Sequence, residues 1–174
     1  APLAVRSSAG GEDSAERSFA GLFDTVVRIH TPEDALAGAA RCIASGRSSR
    51  VFEYAGTATP VSVGLVVQTM VKARAAGVCF THDPAGQDGA ILIEAVEGLG
   101  DKLVSGAVRP ERWRIYRSGM GTWESRTEDT TNVLNEAIVE QIAAESSGFA
   151  LEFGCPLDLE WALDRENRLW WLQA

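Results

Sequence analysis

The chain has 174 residues, 45% of them hydrophobic and 23% charged, with a formal net charge of −8. That size suits one packed domain or two small lobes, and the acidic balance excludes the basic footprint of a nucleic-acid binder. Cys42, Cys79 and Cys155 stand far apart, which gives neither a disulfide framework nor a zinc spacing; no apolar run reaches membrane-spanning length, and no secretory leader is in view, so a cytoplasmic protein with reduced thiols and no membrane partner is expected.

Ala4–Ser8 reads as a short strand that runs into a polar, glycine-containing loop up to Ser18. Thr31 is an N-cap with Pro32 at the first helical position and Asp34 at the third. A helix over Ala35–Ser45 follows, and its spacing predicts a buried face of Leu36, Ala39, Ala40 and Ile43. Arg50–Tyr54 continues as a short helical piece. From Val63 the pattern changes. Val63–Val71 is a β-branched apolar run expected to form a buried strand. Ala76–Thr81, Ala90–Ala95, Arg112–Arg117 and Thr122–Arg126 read as further strands. Leu134–Ser147 is an amphipathic helix, with Leu134, Ile138, Ile142 and Ala143 at helical spacing. Helices first, then mostly strands with one late helix, make an α+β order and not an alternating βαβ one.

The end of the chain carries the sharpest chemistry. In Leu157-Asp-Leu-Glu-Trp-Ala-Leu-Asp164, the carboxylates Asp158 and Glu160 lie two apart in an apolar run. A strand puts both on one face, with Leu157, Leu159, Trp161 and Leu163 on the other. Gln173 ends a second apolar strand, Arg168–Gln173. A hairpin of these two strands creates an oxygen-rich set of two carboxylates and a side-chain carbonyl, the kind that holds magnesium together with nucleotide phosphates. A solvated acid face is the plainer alternative, but the tryptophans at 161, 170 and 171 argue for burial of at least one face. Three other clusters are weak singly. Val5-Arg-Ser-Ser-Ala-Gly-Gly-Glu-Asp13 offers a guanidinium, hydroxyls and backbone N–H groups to an anion. Ser18-Phe-Ala-Gly-Leu-Phe-Asp-Thr25 brings Gly21 and Thr25 within reach of a phosphate, or is simply a packed turn. Val66-Val-Gln-Thr-Met-Val71 places Gln68 where it needs a hydrogen-bond partner if buried, and a nucleotide base is one such partner. No phosphate-loop, dinucleotide, zinc-protease or nucleophile-elbow motif occurs. His30 and His82 read as capping or turn residues.

In order, these clusters resemble the nucleotide-binding domain of the phosphoenolpyruvate synthase and pyruvate phosphate dikinase family, which rifamycin phosphotransferases share. The resemblance also runs through Ala76-Gly-Val-Cys-Phe-Thr81, Ile93-Glu-Ala95, Gly98-Leu-Gly-Asp101, Val104-Ser-Gly106, Asp158-Leu-Glu-Trp-Ala162 and Leu172-Gln-Ala174. It covers essentially the whole chain, and the ordered set is specific where each motif alone is weak. It implies an ATP-grasp-like fold of antiparallel sheet lobes with flanking helices, the N-terminal lobe being incomplete. Residues 1–62 would form a helical and loop part with the phosphate-side motifs, and residues 63–174 a mostly β lobe with the adenine-side and metal-site strands.

The resemblance further implies ATP and Mg2+ as cofactors and assigns roles. Arg6 is similar to the family's phosphate-contacting arginine. Gly21 and Thr25 match the phosphate-side loop, and Gln68, Thr69, Met70 and Val71 the strand beside the adenine. Glu160 and Gln173 match the magnesium-coordinating pair, and Asp158 the neighbouring acid. In the family, Mg-ATP donates a phosphoryl group to a histidine on a separate phosphohistidine domain, which passes it to pyruvate or another acceptor. A rifamycin-type antibiotic phosphotransferase, or a non-catalytic nucleotide-sensing module, is the alternative. The family's glycine- and lysine-bearing lobe upstream, its phosphohistidine domain, and the arginine after Leu-Gln-x lie outside this sequence, and Asp101 stands where glutamate is usual. The expectation is therefore a piece of a larger ATP-dependent phosphotransferase, inactive alone, whose partners are the nucleotide and the phosphohistidine and acceptor domains.

Overall fold

The computed structural model describes residues 1–9, 13–14, 17–18, 23–55, 62–84, 89–100, 103, 108–117, 123–127 and 132–174. The chain divides into two compact units, Ala1–Met70 and Val71–Ala174. The division falls later than the expected boundary at 62/63, because the strand that opens at Val63 pairs with the N-terminal strand, not with those that follow.

The first unit contains β1 (Leu3–Ala9), β2 (Asp13–Ser14), β3 (Arg17–Ser18), β4 (Thr25–Ile29), α1 (Pro32–Ser45), α2 (Ser49–Ala55) and β5 (Val63–Thr69). β4, β1 and β5 form a three-stranded antiparallel sheet with β1 in the centre, and β2 pairs with β3. It is therefore more than a helical and loop part. Sequence periodicity gave no hint of β4. A register shift opposite Leu3 and Val5, with Arg28 at φ 60°, breaks its alternation.

Thr31 caps α1, its hydroxyl accepting from Asp34 N at 3.1 Å. The buried face of α1 differs from the expected one. Gly38, Cys42 and Ser45 are buried, while Leu36 and Ile43 are 73% and 47% exposed. The small residues let the helix come close to the β-branched side chains of the sheet. A Cβ at Gly38 would lie 3.2 Å from Ile29 Cδ1. Val5, Ile29 and Cys42 form the core here, with Leu3, Val26, Ala35 and Ala39 packed on it. β5 also departs from expectation. It is an edge strand that ends at Thr69, and Leu65, Val66 and Val67 are exposed.

The second unit contains β6 (Ala73–Phe80), β7 (Ile91–Glu97), β8 (Glu111–Arg117), β9 (Trp123–Thr127), α3 (Glu136–Phe153), β10 (Asp158–Asp164) and β11 (Leu169–Gln173). They form a six-stranded antiparallel sheet in the order β11-β10-β6-β7-β8-β9. Together with α1 and α3, both sheets place the chain in the α+β class. Asn135 caps α3 by accepting from Ile138 N, and Gly154 ends it in the left-handed conformation at φ 72°. Ile138, Val139, Ile142 and Ala143 of α3 pack on Ile93, Trp113, Ile115, Leu159, Trp161 and Leu163 of the sheet. The buried Glu111 carboxylate accepts from Trp113 Nε1 and from the backbone N–H groups of Val133 and Leu134, which fixes the approach to α3. No helix among the described residues is long and apolar enough to cross a membrane.

Candidate functional site

The acids and Gln173 sit on the β10–β11 hairpin. Its turn is built by Asp164, whose Oδ1 accepts from Glu166 N and Arg168 N while Oδ2 accepts from Arg168 Nε at 2.8 Å and Trp170 Nε1 at 3.1 Å. Burial pushes this carboxyl up, but those donors outweigh it and hold its pKa at about 2. Asn167, at φ 61°, completes the turn.

Across the hairpin Glu160 pairs directly with Gln173. The next pair is Trp161 with Trp171, so Leu172 is an extra residue on β11. The bulge has a consequence for side-chain parity. In a regular strand Trp171 and Gln173, two apart, would share a face. Here Trp171 turns to α3, edge-on to Phe149 at 5.4 Å and donating from Nε1 to Glu145, while Gln173 pairs with Glu160 on the other face. On β10, Leu159, Trp161 and Leu163 are buried against α3, whereas Asp158 is exposed and Glu160 half-buried. The hairpin thus brings Asp158, Glu160 and Gln173 to one face of the second unit.

The register extends this row. Glu160 pairs with Val78, Val78 with Glu94, and Glu94 with Arg112, whose Nε donates to Glu94 Oε1 at 2.6 Å. Glu94 is therefore a third carboxylate on the same face, although sequence reasoning gave it no role. Its signal in the sequence is an acid inside the apolar run Ile91–Val96, and the structure leaves it half-buried. Cys79 lies on the α3 side, where burial pushes its pKa up to about 12 and leaves it an inert thiol. Among the described residues no cluster of three or more His, Cys, Asp or Glu side chains is arranged to hold a metal ion. The donor chemistry of Glu160 and Gln173, one carboxylate and one amide oxygen, fits magnesium when phosphate oxygens complete the shell.

In the first unit Arg6 lies on the central strand, opposite Thr25 on one side and Val66 on the other. Gln68 lies opposite Ala4. Directly opposed residues share a face, so Arg6, Thr25 and Gln68 come together on the face opposite α1, while Val5 and Leu3 face the helix. Thr69, opposite Leu3, lies on the α1 side. Met70 is not part of the strand. Its N–H donates to Pro2 O at 2.9 Å and its sulfur accepts from Arg28 N at 3.1 Å. Val71 opens the second unit before β6 begins. Thr69-Met70-Val71 is thus a strand end and a connection, because pairing with β1 stops at Leu3. Gly21 falls outside the described residues, as do Asp101 and Val104–Gly106. A hollow of about 660 Å3 lined by Arg74, Trp113 and residues 132–137 contains none of these site residues.

Comparison with known proteins agrees with the residue pattern. Residues 1–129 match the family model described as pyruvate phosphate dikinase, AMP/ATP-binding domain. A rifampicin phosphotransferase of a Streptomyces species is 34% identical over 94% of this chain, which spans 22% of that protein. A prodigiosin synthesizing transferase, PigC, of Serratia marcescens is 32% identical over 100% of the chain and 22% of its own length. A probable phosphoenolpyruvate synthase of Methanothermobacter thermautotrophicus is 33% identical over 92% of the chain and 27% of its own length. The chain thus spans about a quarter of the length of these relatives. It belongs to the family of pyruvate phosphate dikinase AMP/ATP-binding domains.

Proposed function

We propose that this chain is the Mg-ATP-binding part, of ATP-grasp type, of a phosphoenolpyruvate synthase-like phosphotransferase. In the first unit Arg6 and Thr25 are the candidates for phosphate contact and Gln68 for the base. In the second unit Glu160 and Gln173 are the candidates for magnesium, with Asp158 beside them. The observation that carries the reading is the Glu160–Gln173 cross-strand pair, which exists only because the bulge at Leu172 turns Gln173 away from the α3 face.

Phosphoryl transfer needs little covalent help from the protein. It needs position and neutralised charge. Arg6 would orient and neutralise phosphate oxygens by charge-assisted hydrogen bonds, and Glu160 and Gln173 would hold the metal in place. Magnesium, when bound, offsets charge on the transferring phosphoryl group. The acceptor in this proposal is a histidine on a separate domain, which passes the group to pyruvate. A rifampicin-type acceptor is the second reading, favoured by the 34% identity to the Streptomyces phosphotransferase. The nucleotide chemistry is the same in both.

The test is calorimetric titration of Mg-ATP into the full-length protein that carries this chain, and into its Glu160→Ala and Gln173→Ala variants. Affinity and turnover are expected to fall in each variant, and unchanged values in both would overturn the metal assignment. Supplying pyruvate and rifampicin in parallel turnover assays separates the two acceptors.

A further inference from the structure

The residue that precedes Thr25 is held from two elements at once. The Asp24 carbonyl accepts from Ser7 Oγ at 3.0 Å, Ser7 N at 3.4 Å and Cys42 Sγ at 3.2 Å. Its backbone N–H donates to Ser45 Oγ at 3.2 Å, and its carboxylate accepts from Arg41 Nε at 2.6 Å. The backbone N–H, the carbonyl and the carboxylate of Asp24 thus all have partners, drawn from β1 and the last turns of α1. Ser45 is 8% exposed, and its hydroxyl also donates to Cys42 O at 2.7 Å, so it is a fixed acceptor. Arg41 is different. Its side chain is 65% exposed, and a pair so solvated adds little to stability.

The anchoring has a direction. Thr25 is the first residue of β4 and lies opposite Arg6. Ser7, which grips Asp24 from β1, is the residue after Arg6. The segment carrying Thr25 therefore cannot shift relative to Arg6 without breaking the bonds of Ser7 to Asp24, and it cannot shift relative to α1 without breaking those of Arg41, Cys42 and Ser45. Sequence patterning offered the apolar face of this helix, of which Leu36 and Ile43 are exposed.

We infer that Arg41 and Ser45 are positioning residues: acting through Asp24, they set Thr25 beside Arg6 in the geometry that receives the nucleotide phosphates. The inference rests on the nucleotide-site reading above. It deepens that reading by making α1 part of the phosphate side of the site without touching ligand.

The experiment compares dissociation constants of Mg-ATP and of adenosine in the full-length protein and its variants, with thermal midpoints measured alongside. Ser45→Ala leaves the Asp24 N–H without its acceptor and is expected to weaken Mg-ATP about fivefold, a change of the size a single hydrogen bond supplies. Adenosine, which lacks phosphates, is expected to bind unchanged. Arg41→Ala should weaken Mg-ATP about twofold to threefold with an unmoved midpoint, and Arg41→Lys should recover most of it. Should Ser45→Ala fail to fold, the exposed Arg41 variants carry the test. Equal loss of ATP and adenosine affinity, or no loss of ATP affinity in either alanine variant, would overturn the inference. Arg6→Ala separates the two levels. If it weakens Mg-ATP while the α1 variants do not, only the positioning role fails. If it changes nothing, the nucleotide-site reading fails and the positioning role with it.

Discussion

In the first unit, the strand that carries Arg6 lies at the centre of three, with α1 on one face; in the second, the strand that carries Glu160 lies one in from the edge of six, with α3 on one face. Both place site residues on the face away from the helix. They differ in what stands behind those residues. Glu160 is flanked by Leu159 and Trp161, buried at 1% and 0%, in a core that extends over five strands and α3. Among the described residues Arg6 is backed by Val5, Ile29 and a few small side chains of α1, together with polar anchoring at Asp24. The metal-side candidates are therefore set by packing and the phosphate-side candidates by hydrogen bonds, so substitutions should cost stability mostly in the second unit and geometry mostly in the first.

The largest expected effect follows from that contrast. Trp161→Ala should destabilise the second unit by about 3–5 kcal/mol, read as a lower denaturant midpoint. Trp161→Phe should cost less, because the indole N–H is buried without a partner among the described residues. A loss below ~1 kcal/mol for the alanine variant would mean that the core does not back the acid strand. Gly77 comes next. It sits on β6 between β10 and β7, where an added Cβ would run into the Glu94 carbonyl and the Trp161 indole. Gly77→Ala should cost up to about 3 kcal/mol by overpacking. In the first unit the matched pair is Val5→Ala and Val67→Ala. The buried valine should lose about 2 kcal/mol and the exposed one less than ~0.5. Similar losses at both sites would show that β5 is covered after all.

The same contrast explains what could be read in the sequence. The acid face of β10 was legible because Asp158, Leu159, Glu160 and Trp161 alternate as a half-buried strand does, and the hairpin because a second apolar strand ending in Gln173 follows a few residues on. The bulge that turns Gln173 towards Glu160 was not, since Leu172 is apolar like its neighbours and period-2 reasoning has no term for an extra residue. β4 escaped because its bulge at Arg28 removes the alternation that marks a strand. The α1 face was misjudged because hydrophobicity ranks Leu36 and Ile43 above Gly38 and Ser45, whereas close approach to Ile29 and Val26 selects the small residues. β5 is as apolar as a central strand, yet its exposure depends on which strands flank it, and pairing partners are not written in a single segment. Glu94 shares the acid face through β6 and β7, a relation only the register reveals.

A smaller effect is expected from pH. Asp164 has a folded pKa of about 2, against an ordinary 3.8. Because the folded value is the lower one, the stability this group adds is present above pH 3.8 and is lost as pH falls towards about 2. The wild-type thermal midpoint should therefore decline over that window, and Asp164→Asn should flatten that part of the decline while lowering stability at neutral pH. An unchanged acid limb in the variant would show that the hairpin turn is not held by the carboxylate.

The smallest effect is kinetic and compares the two units within one chain. Cys155 is exposed, Cys42 is buried in the first unit, and Cys79 is buried in the second. Burial raises the pKa of Cys42, and it takes Cys79 to about 12, so at pH 8 neither folded thiol supplies much thiolate. Reaction with a thiol reagent then requires opening of the surrounding structure. Cys155 should react at once in the native protein. As denaturant is raised, Cys42 should become reactive before Cys79, because among the described residues fewer buried side chains hold α1 on its sheet than hold α3 on the larger one. Peptide mapping of the labelled protein reads the order directly. Simultaneous exposure of both cysteines would mean that the two units open as one cooperative block, and earlier labelling of Cys79 would reverse the assignment of the more strongly packed unit.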